Sequence, residues 1–295
     1  MNIHKMKPLK IFLADLTYDT ITLSTDVFPL NIGYIAAYTK AQFDLDVEIK
    51  LFKYIEKLED ELERSPPDIL GMSNYAWCHR INREISKILS KLNPNGIIVW
   101  GGPNFPLDLP SQENFFRENS IIDIYVPVEG EIGFANIIKK ALEVKSKDEF
   151  RNKMLGEPID GCITRLKNGK LQYSTAPIRT KQLDEIPSPY TTGILDEFFD
   201  GKLSPMIQTN RGCPFSCTFC VDGSDLVNKV NTFSNERVEK ELHYIGKHVT
   251  PNMHSMHISD LNFGMYPKDL EVCESINEIQ EKYNFPKYVK VTSGK

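Results

Sequence analysis

The chain has 295 residues, of which 41% are hydrophobic, and a chain of this length is expected to form about two domains. Forty acidic residues against 35 lysines and arginines leave a net charge of -5, which argues against nucleic acid as a partner. The first apolar run, residues 11–14, ends at Asp15, too early for a signal peptide or a membrane span. We therefore expect a cytoplasmic protein without membrane association.

Residues 9–145 alternate short apolar runs with helical patterns. The runs cover residues 11–14, 47–51, 69–72, 97–100 and 124–128. One helix is marked by an apolar stripe at Ile81, Ile85, Ile88, Leu89 and Leu92 and ends before Pro94. Such alternation is typical of parallel strands joined by crossover helices. We predict an α/β domain with a doubly wound parallel sheet at residues 9–145.

Polar residues and glycines follow the predicted strands at their carboxyl ends. They are Asp15, Ser73, Asn74, Gly101, Gly102, Glu129 and Gly130. In a doubly wound sheet, ligands bind at this edge, where the loops open a crevice. Glycines allow a backbone to approach a ligand closely, although a glycine pair also serves in a tight turn. The sequence leaves both roles open for Gly101 and Gly102.

Residues 146–203 have a different pattern. Two short β-rich runs flank Asn168-Gly169, a pair that favours a tight hairpin turn. Pro187 and Pro189 stiffen the segment that follows. We predict a hairpin-containing linker that packs on a neighbouring domain and supplies no catalytic groups.

Strand and helix patterns resume in residues 204–295. The predicted strands lie at 206–209, 256–259 and 288–292. Ser234 is the expected N-cap of the first helix, with Phe233 and Val238 at the positions of a hydrophobic staple. This order of elements predicts the N-terminal part of a (β/α) barrel.

Three cysteines lie close together in the stretch RGCPFSCTFC at residues 211–220. Cys213, Cys217 and Cys220 occupy a loop after a predicted strand, where barrel enzymes place their chemistry. Thiolates bind zinc, copper(I) or iron–sulfur clusters, and a structural zinc site uses four protein ligands. Three cysteines on a cluster leave one iron open, although a structural metal knuckle is an alternative. The other cysteines are scattered and are expected to be small buried side chains: Cys78, Cys162 and Cys273.

The cysteine motif resembles the signature of radical S-adenosylmethionine (SAM) enzymes. The resemblance implies that Cys213, Cys217 and Cys220 hold a 4Fe-4S cluster and that the amine and carboxylate of SAM chelate its open iron. It also implies that Phe219 lies against the adenine. The stretch SDLNFG after the second predicted strand is similar to a family segment near SAM or substrate, which assigns Asp260, Asn262 and Phe263 to that site.

The N-terminal half resembles the cobalamin-binding domain that precedes the radical SAM barrel in one large subfamily. The landmarks, in order, are FPLNIGYIAAY, PPDILGMS, IIVWGGPNFP and VEGEIGF. The resemblance implies that cobalamin lies near Ser73, Asn74, Gly101, Gly102, Glu129 and Gly130. Thr17 stands where cobalamin mutases carry the cobalt-binding histidine, and Val128 replaces the usual glycine before Glu129. We expect cobalamin without a protein histidine ligand, and His79 to be a helix-start or surface residue.

Together, the resemblances predict a radical SAM enzyme that cleaves SAM reductively and transfers a methyl group to an unreactive carbon. Cyclisation, rearrangement or methylthiolation without cobalamin is the alternative within the class, and a noncatalytic metal-stabilised binding module is the alternative outside it. We expect a small-molecule or peptide substrate and a reductant such as a flavodoxin or ferredoxin. The family's barrel usually has six strand–helix units, whereas residues 204–295 accommodate about three. We therefore expect these residues to be part of a longer barrel.

Overall fold

The computed structural model describes residues 7–19, 23, 25–175, 178–218, 220–224 and 227–293. The chain forms two compact units. The first contains residues 1–24 and 38–179, and the second contains residues 25–37 and 180–295.

A seven-stranded sheet forms the centre of the first unit. Its strands are β1 (Leu9–Thr17), β2 (Val47–Tyr54), β3 (Ile69–Ser73), β4 (Ile97–Gly101), β5 (Ile124–Val126), β6 (Ile163–Arg165) and β7 (Leu171–Tyr173). They lie in the order β2-β1-β3-β4-β5-β6-β7. The first five pair in parallel, in one of the two common doubly wound orders, with the switch in direction between β1 and β3. The predicted α/β fold with a large parallel sheet is therefore confirmed for this part of the chain.

Helices connect the strands of the first unit. They are α2 (Ile55–Arg64), α3 (His79–Leu92), α4 (Leu109–Glu118), α5 (Gly130–Glu143) and α6 (Phe150–Met154). A further helix, α1 (Leu30–Phe43), begins in the second unit and ends in the first. Helix α3 carries the predicted apolar stripe and ends before Pro94, as expected. On one face of the sheet, Phe12, Leu70 and Trp100 pack with Ile85 and Leu89 of α3 in a continuous hydrophobic core. Burial of Ile85 and Leu89 holds α3 in place, whereas Leu92, the last residue of the predicted stripe, is 43% exposed.

The predicted hairpin is part of the large sheet. Strands β6 and β7 pair antiparallel, and β6 pairs antiparallel with β5. Gly169 adopts a φ of 79° at the turn, a conformation that glycine reaches without strain. The hairpin therefore extends the first unit instead of serving as a linker. The expected domain boundaries at residues 145 and 203 stay predictions.

A parallel sheet of three strands forms the centre of the second unit. Its strands are β8 (Met206–Ile207), β11 (Ser255–Phe263) and β12 (Tyr288–Ser293), in the order β12-β11-β8. A short antiparallel pair, β9 (Asn210–Arg211) and β10 (Asn231–Thr232), lies between β8 and helix α7 (Asn235–His248), and α8 (Pro267–Tyr283) joins β11 to β12. The Ser234 hydroxyl accepts a hydrogen bond from the Arg237 amide, which confirms the predicted N-cap.

In the second unit, strands alternate with helices along the chain, as expected of a (β/α) barrel. The closed barrel itself stays a prediction.

Throughout the described residues, no helix combines the length and the apolar character needed to cross a bilayer.

Candidate functional site

The cysteine loop, residues 212–230, is closed by backbone pairing at its two ends. Strand β9 enters the loop and β10 leaves it, with Arg211 opposite Asn231. Within the loop, the Cys213 amide donates to the Val227 carbonyl at 3.2 Å, and the Cys220 amide donates to the Cys217 carbonyl at 3.1 Å. These bonds tie Cys213 to Val227 and Cys220 to Cys217.

Two glycines allow the backbone of the cysteine loop to pack against itself. Gly212 has a φ of 104°, and a Cβ there would lie 2.3 Å from the carbonyl oxygen of Lys229. Gly223 lies beneath Cys217, where a Cβ would approach the Cys217 carbonyl oxygen and amide nitrogen to 2.5 and 2.8 Å. Separations below 3.0 Å between such atoms do not occur without displacement, so only glycine fits. Sequence reasoning missed Gly223.

Asp260 holds the segment that leads into the cysteine loop. Its carboxylate is buried on β11 and accepts hydrogen bonds from the Thr209 amide at 2.8 Å, the Thr209 hydroxyl and the Asn210 side-chain amide at 2.8 Å. Burial raises the pKa of Asp260, and the hydrogen bonds from Thr209 and Asn210 oppose that rise. Both carboxylate oxygens thus bind the chain at residues 209–210. The expected assignment of Asp260 to SAM or substrate stays a prediction.

Asn262 contacts a cysteine directly. Its side-chain amide nitrogen lies 3.2 Å from Cys213 Sγ, and the side chain is 7% exposed. Residues 260 and 262 belong to the buried face of β11, because alternate residues of a strand share a face. This one face therefore meets both the cysteine loop and the segment that enters it. Phe263 is also buried, whereas Phe219, the expected adenine contact, lies outside the described residues.

A buried tyrosine hydroxyl lies in the segment between β11 and α8. The Tyr266 hydroxyl is enclosed and has no hydrogen-bond partner among the described residues. Burial, and then the charge of the neighbouring Cys213, raise the pKa of Tyr266. An enclosed hydroxyl of this kind can hydrogen-bond a bound group.

The chemistry of the loop suits an iron–sulfur cluster. Its three cysteines are partly exposed, and they offer soft sulfur donors, one of which lies beside the amide of Asn262. The ligand assignment itself stays a prediction.

In the first unit, Asn74 joins two loops at the carboxyl edge of the sheet. Its side-chain amide donates to the Asn104 carbonyl at 2.7 Å and to the Tyr125 hydroxyl at 3.3 Å, and its backbone amide donates to the Gly101 carbonyl at 2.6 Å. The Asn74 side chain is fully buried. Asn74 thus fixes the shape of the edge where sequence reasoning placed cobalamin.

The glycine pair at the end of β4 packs closely against neighbouring backbone. Gly102 has a φ of 120°, and a Cβ there would lie 3.0 Å from the Asn74 carbonyl oxygen and 3.1 Å from its amide nitrogen. A Cβ on Gly101, the last residue of β4, would approach the Val126 carbonyl oxygen to 3.1 Å. The turn role therefore holds for Gly102, and the place of both glycines near cobalamin stays a prediction. Ser73 is also buried, and its carbonyl accepts a hydrogen bond from the Asn82 side chain at 2.7 Å.

The loop before α5 contains Val128 in a left-handed conformation. Its φ is 65°, a region that β-branched residues rarely occupy and that glycine occupies freely. The neighbouring Glu129 pairs with Arg179 Nε at 2.9 Å, and Gly130 is the first residue of α5. The valine that departs from the family's glycine is therefore strained in this structure.

A buried ion pair at the same edge was not found by sequence reasoning. Lys53 Nζ lies 3.0 Å from Asp15 Oδ2, and both residues are buried. Thr17, two residues after Asp15, is 1% exposed. Asp15 was expected as a polar residue at a strand end, but Lys53 lies two residues beyond the predicted apolar run at 47–51, within the observed strand β2, and gave no signal.

His79 begins α3, and its ring is held by neighbouring side chains. Nδ1 lies 3.1 Å from Asn74 Oδ1. The ring also contacts the edge of Trp100. In residues 7–179 His79 is the one histidine. Its interactions agree with the predicted role at the start of the helix.

The three scattered cysteines differ in burial. Cys78 and Cys162 are buried as expected, and burial raises the pKa of Cys78 to about 11. Cys273 is exposed on α8, so the expectation of burial is wrong there, because its helix face points to solvent.

Comparisons with known proteins identify relatives of both units. No protein-family model matches the chain. The chain is 27% identical over 279 residues to the cobalamin-dependent radical SAM methyltransferase TokK of Streptomyces tokunonensis, covering 90% of this chain and 38% of that protein. It is 26% identical over 285 residues to the 2-(S-pantetheinyl)-carbapenam-3-carboxylate methyltransferase of Streptantibioticus cattleyicolor, with the same coverage of 90% and 38%.

A solved structure has the same fold. The cobalamin-dependent S-adenosylmethionine radical enzyme OxsB, with aqua-cobalamin and S-adenosylmethionine bound, matches with a TM-score of 0.65 and 22% identity, covering 92% of this chain and 37% of that chain. The chain thus spans well under half the length of these relatives. It is nevertheless related along about nine tenths of its own length to the cobalamin-dependent radical SAM enzymes, which confirms the family predicted from its motifs.

Proposed function

We propose that the chain carries the cofactor-binding parts of a cobalamin-dependent radical SAM methyltransferase. The proposal depends on the cysteine loop, which contains Cys213, Cys217 and Cys220 and is held by backbone hydrogen bonds. The sulfur of Cys213 faces the side-chain amide of Asn262. The sequence relationship to methyltransferases of this family supports the same reaction.

In this proposal the three cysteines bind a 4Fe-4S cluster, and SAM binds at the iron that they leave open. Asn262 lies on the strand face that meets the loop, so it is placed to contact SAM or a ligand sulfur. Asp260 serves the site through the segment at residues 209–210 that it holds. Phe219 is the proposed adenine contact.

The bound cofactors would together supply reductive cleavage of SAM and a carrier for the methyl group. The chain's residues hold them. At the carboxyl edge of the first unit, Ser73, Asn74, Gly101, Gly102, Glu129 and Gly130 are the proposed cobalamin neighbours. Tyr75 and Trp77 stack in parallel there, with ring centroids 4.6 Å apart, and Trp77 is 50% exposed. This open aromatic surface suits a large, flat ligand.

We propose that cobalamin binds this edge without a protein histidine on cobalt. Thr17 stands at the usual ligand position and is buried. The ring nitrogen Nδ1 of His79 lies 3.1 Å from Asn74 Oδ1. Binding would therefore depend on shape and on backbone contacts.

The proposed substrate is a small molecule or a peptide. The proposed source of the electron that reduces the cluster is a flavodoxin or ferredoxin. We propose a cytoplasmic setting, where reducing conditions keep cysteines available as cluster ligands. The net charge of -5 gives no support to a nucleic-acid substrate.

The test is anaerobic reconstitution of the chain with iron and sulfide, followed by incubation with SAM, hydroxocobalamin and a strong reductant. We expect a brown protein whose cluster spectrum changes on SAM addition, and formation of both 5′-deoxyadenosine and S-adenosylhomocysteine. 5′-Deoxyadenosine alone would support cyclisation or rearrangement instead. A colourless protein containing only zinc would support the noncatalytic binding module and refute the proposal.

A further inference from the structure

The contact between Asn262 and Cys213 has a consequence for the electronic properties of the cluster. We propose that Asn262 is a positioning residue that donates an N–H···S hydrogen bond to the ligand sulfur of Cys213 and thereby raises the reduction potential of the cluster. The inference rests on the proposed function, because it requires a cluster on the three cysteines.

The geometry provides the donor. Asn262 Nδ2 lies 3.2 Å from Cys213 Sγ, within the range for hydrogen bonds to sulfur. A ligand thiolate has no proton to donate, so the asparagine group that faces it must be the NH₂ and not the carbonyl oxygen. The hydrogen bond therefore has a defined direction, from Asn262 to Cys213.

The surroundings hold this donor in place. Asn262 is buried on β11, and Asp260, two residues earlier on the same face, binds Thr209 and Asn210 at the entrance to the loop. The segment that enters the loop is thus held to β11 at Asp260, and the loop itself contacts β11 at Asn262. A donor held in this way needs no reorganisation when charge on the sulfur increases.

The electrostatic effect has a definite sign. One-electron reduction by a low-potential donor adds negative charge, part of which resides on the cysteine sulfurs. A hydrogen bond to the sulfur stabilises that charge, and hydrogen bonds to the sulfurs are among the determinants of cluster potentials. Low solvent exposure of Asn262 strengthens the interaction. Loss of the donor should therefore make the cluster harder to reduce.

The experiment is a redox titration of the reconstituted full chain without SAM, followed by electron paramagnetic resonance. Asn262→Leu removes the donor at similar volume, and Asn262→Gln retains an amide. We expect Asn262→Leu to lower the equilibrium constant for reduction about tenfold, equivalent to a shift of 59 mV to more negative potential for one electron. Asn262→Gln should restore part of the difference. The matched control on the same strand is Ser259→Ala, whose hydroxyl donates to the Ile207 carbonyl, and it should retain the wild-type potential.

A second measurement needs no variant. The wild-type protein is labelled with ¹⁵N in asparagine side chains, and hyperfine spectroscopy of the reduced cluster should detect a ¹⁵N coupling through the hydrogen bond. An equal iron content and an equal potential in Asn262→Leu, or a wild-type cluster without the coupling, would overturn the inference alone. A wild-type protein that takes up no cluster would overturn the proposed function and the inference with it.

Discussion

A Cβ atom on Gly223 would lie 2.5 Å from the carbonyl oxygen of Cys217. Substitution Gly223→Ala must therefore displace the backbone of a proposed cluster ligand. We expect this variant to lose most of its iron and sulfide after anaerobic reconstitution. Gly156→Ala is the control, because a Cβ there would lie 3.2 and 3.5 Å from the nearest carbonyl oxygens. This variant should bind as much iron and sulfide as the wild type. A full complement of iron in Gly223→Ala would show that the loop adapts.

Replacement of any one of Cys213, Cys217 and Cys220 by alanine should abolish the cluster, because three thiolates are the ligand set and the neighbouring chain offers no replacement in our proposal. The exposed Cys273 provides the control, since Cys273→Ala should retain full iron and sulfide. Colorimetric analysis of iron and sulfide measures the cluster content of the three variants and of the control. A full cluster in any of the three central variants would refute the ligand assignment.

The buried pair of Lys53 and Asp15 should be strongly coupled. Lys53→Met leaves the Asp15 carboxylate buried without this partner, and we expect a loss of about 3–5 kcal/mol in the free energy of unfolding. Asp15→Leu should cost a similar amount, but the double variant should cost far less than the two losses together. Denaturant unfolding of all four proteins gives the coupling energy. Additive losses would show that the pair contributes no net interaction.

Replacement of Val128 by glycine should increase the stability of the fold. At a φ of 65°, glycine relieves a backbone cost of about 1–3 kcal/mol, which exceeds the entropy of about 0.5–1 kcal/mol that glycine loses. We expect Val128→Gly to raise the free energy of unfolding by about 1 kcal/mol. The control Val126→Gly, in the buried strand β5, should lower it. Destabilisation by Val128→Gly would mean that its side-chain contacts outweigh the strain.

His79 should make the stability of the first unit depend on pH. Burial, and then Arg83, lower the pKa of His79 in the folded chain below its ordinary value. As the pH falls through the ordinary histidine pKa of about 6.5, the unfolded chain takes up a proton that the folded chain resists. The free energy of unfolding should therefore decrease from pH 7.5 towards pH 5.5.

His79→Gln should reduce that decrease, as measured by denaturant unfolding at both pH values. Burial also lowers the pKa of His257 in the second unit, so His257→Gln is the matched comparison for a contribution of the same sign. An unchanged pH dependence in His79→Gln would exclude His79 as a contributor.

The regular elements were predictable from sequence because their signals are local. The apolar stripe of α3 and the N-cap at Ser234 each depend on residues within about two helical turns. The cysteine motif was equally local, with three cysteines in eight positions. These features could be read without knowledge of the distant parts of the chain.

The partners of the site residues could not be read in this way. Asp260 binds residues 50 and 51 positions earlier, and Lys53 meets Asp15 across 38 positions. The role of Gly223 depends on how the loop folds back on Cys217, which no periodic pattern records. The hairpin at β6 and β7 was found, but its place in the sheet depends on pairing with β5, and it was interpreted as part of a linker.

The bond between Thr209 and Asp260 also imposes an order of events during synthesis. The cysteines leave the ribosome before Asp260, and the segment that precedes them is secured only when the chain has closed over 51 residues. Cys220 is synthesised 40 residues before Asp260, which at about 5–20 residues per second is an interval of roughly 2 to 8 s. During that time the three thiols have been synthesised, but the segment that precedes them is not yet bound to β11. For the cysteines to hold a cluster as proposed, the nascent thiols must stay reduced over this interval.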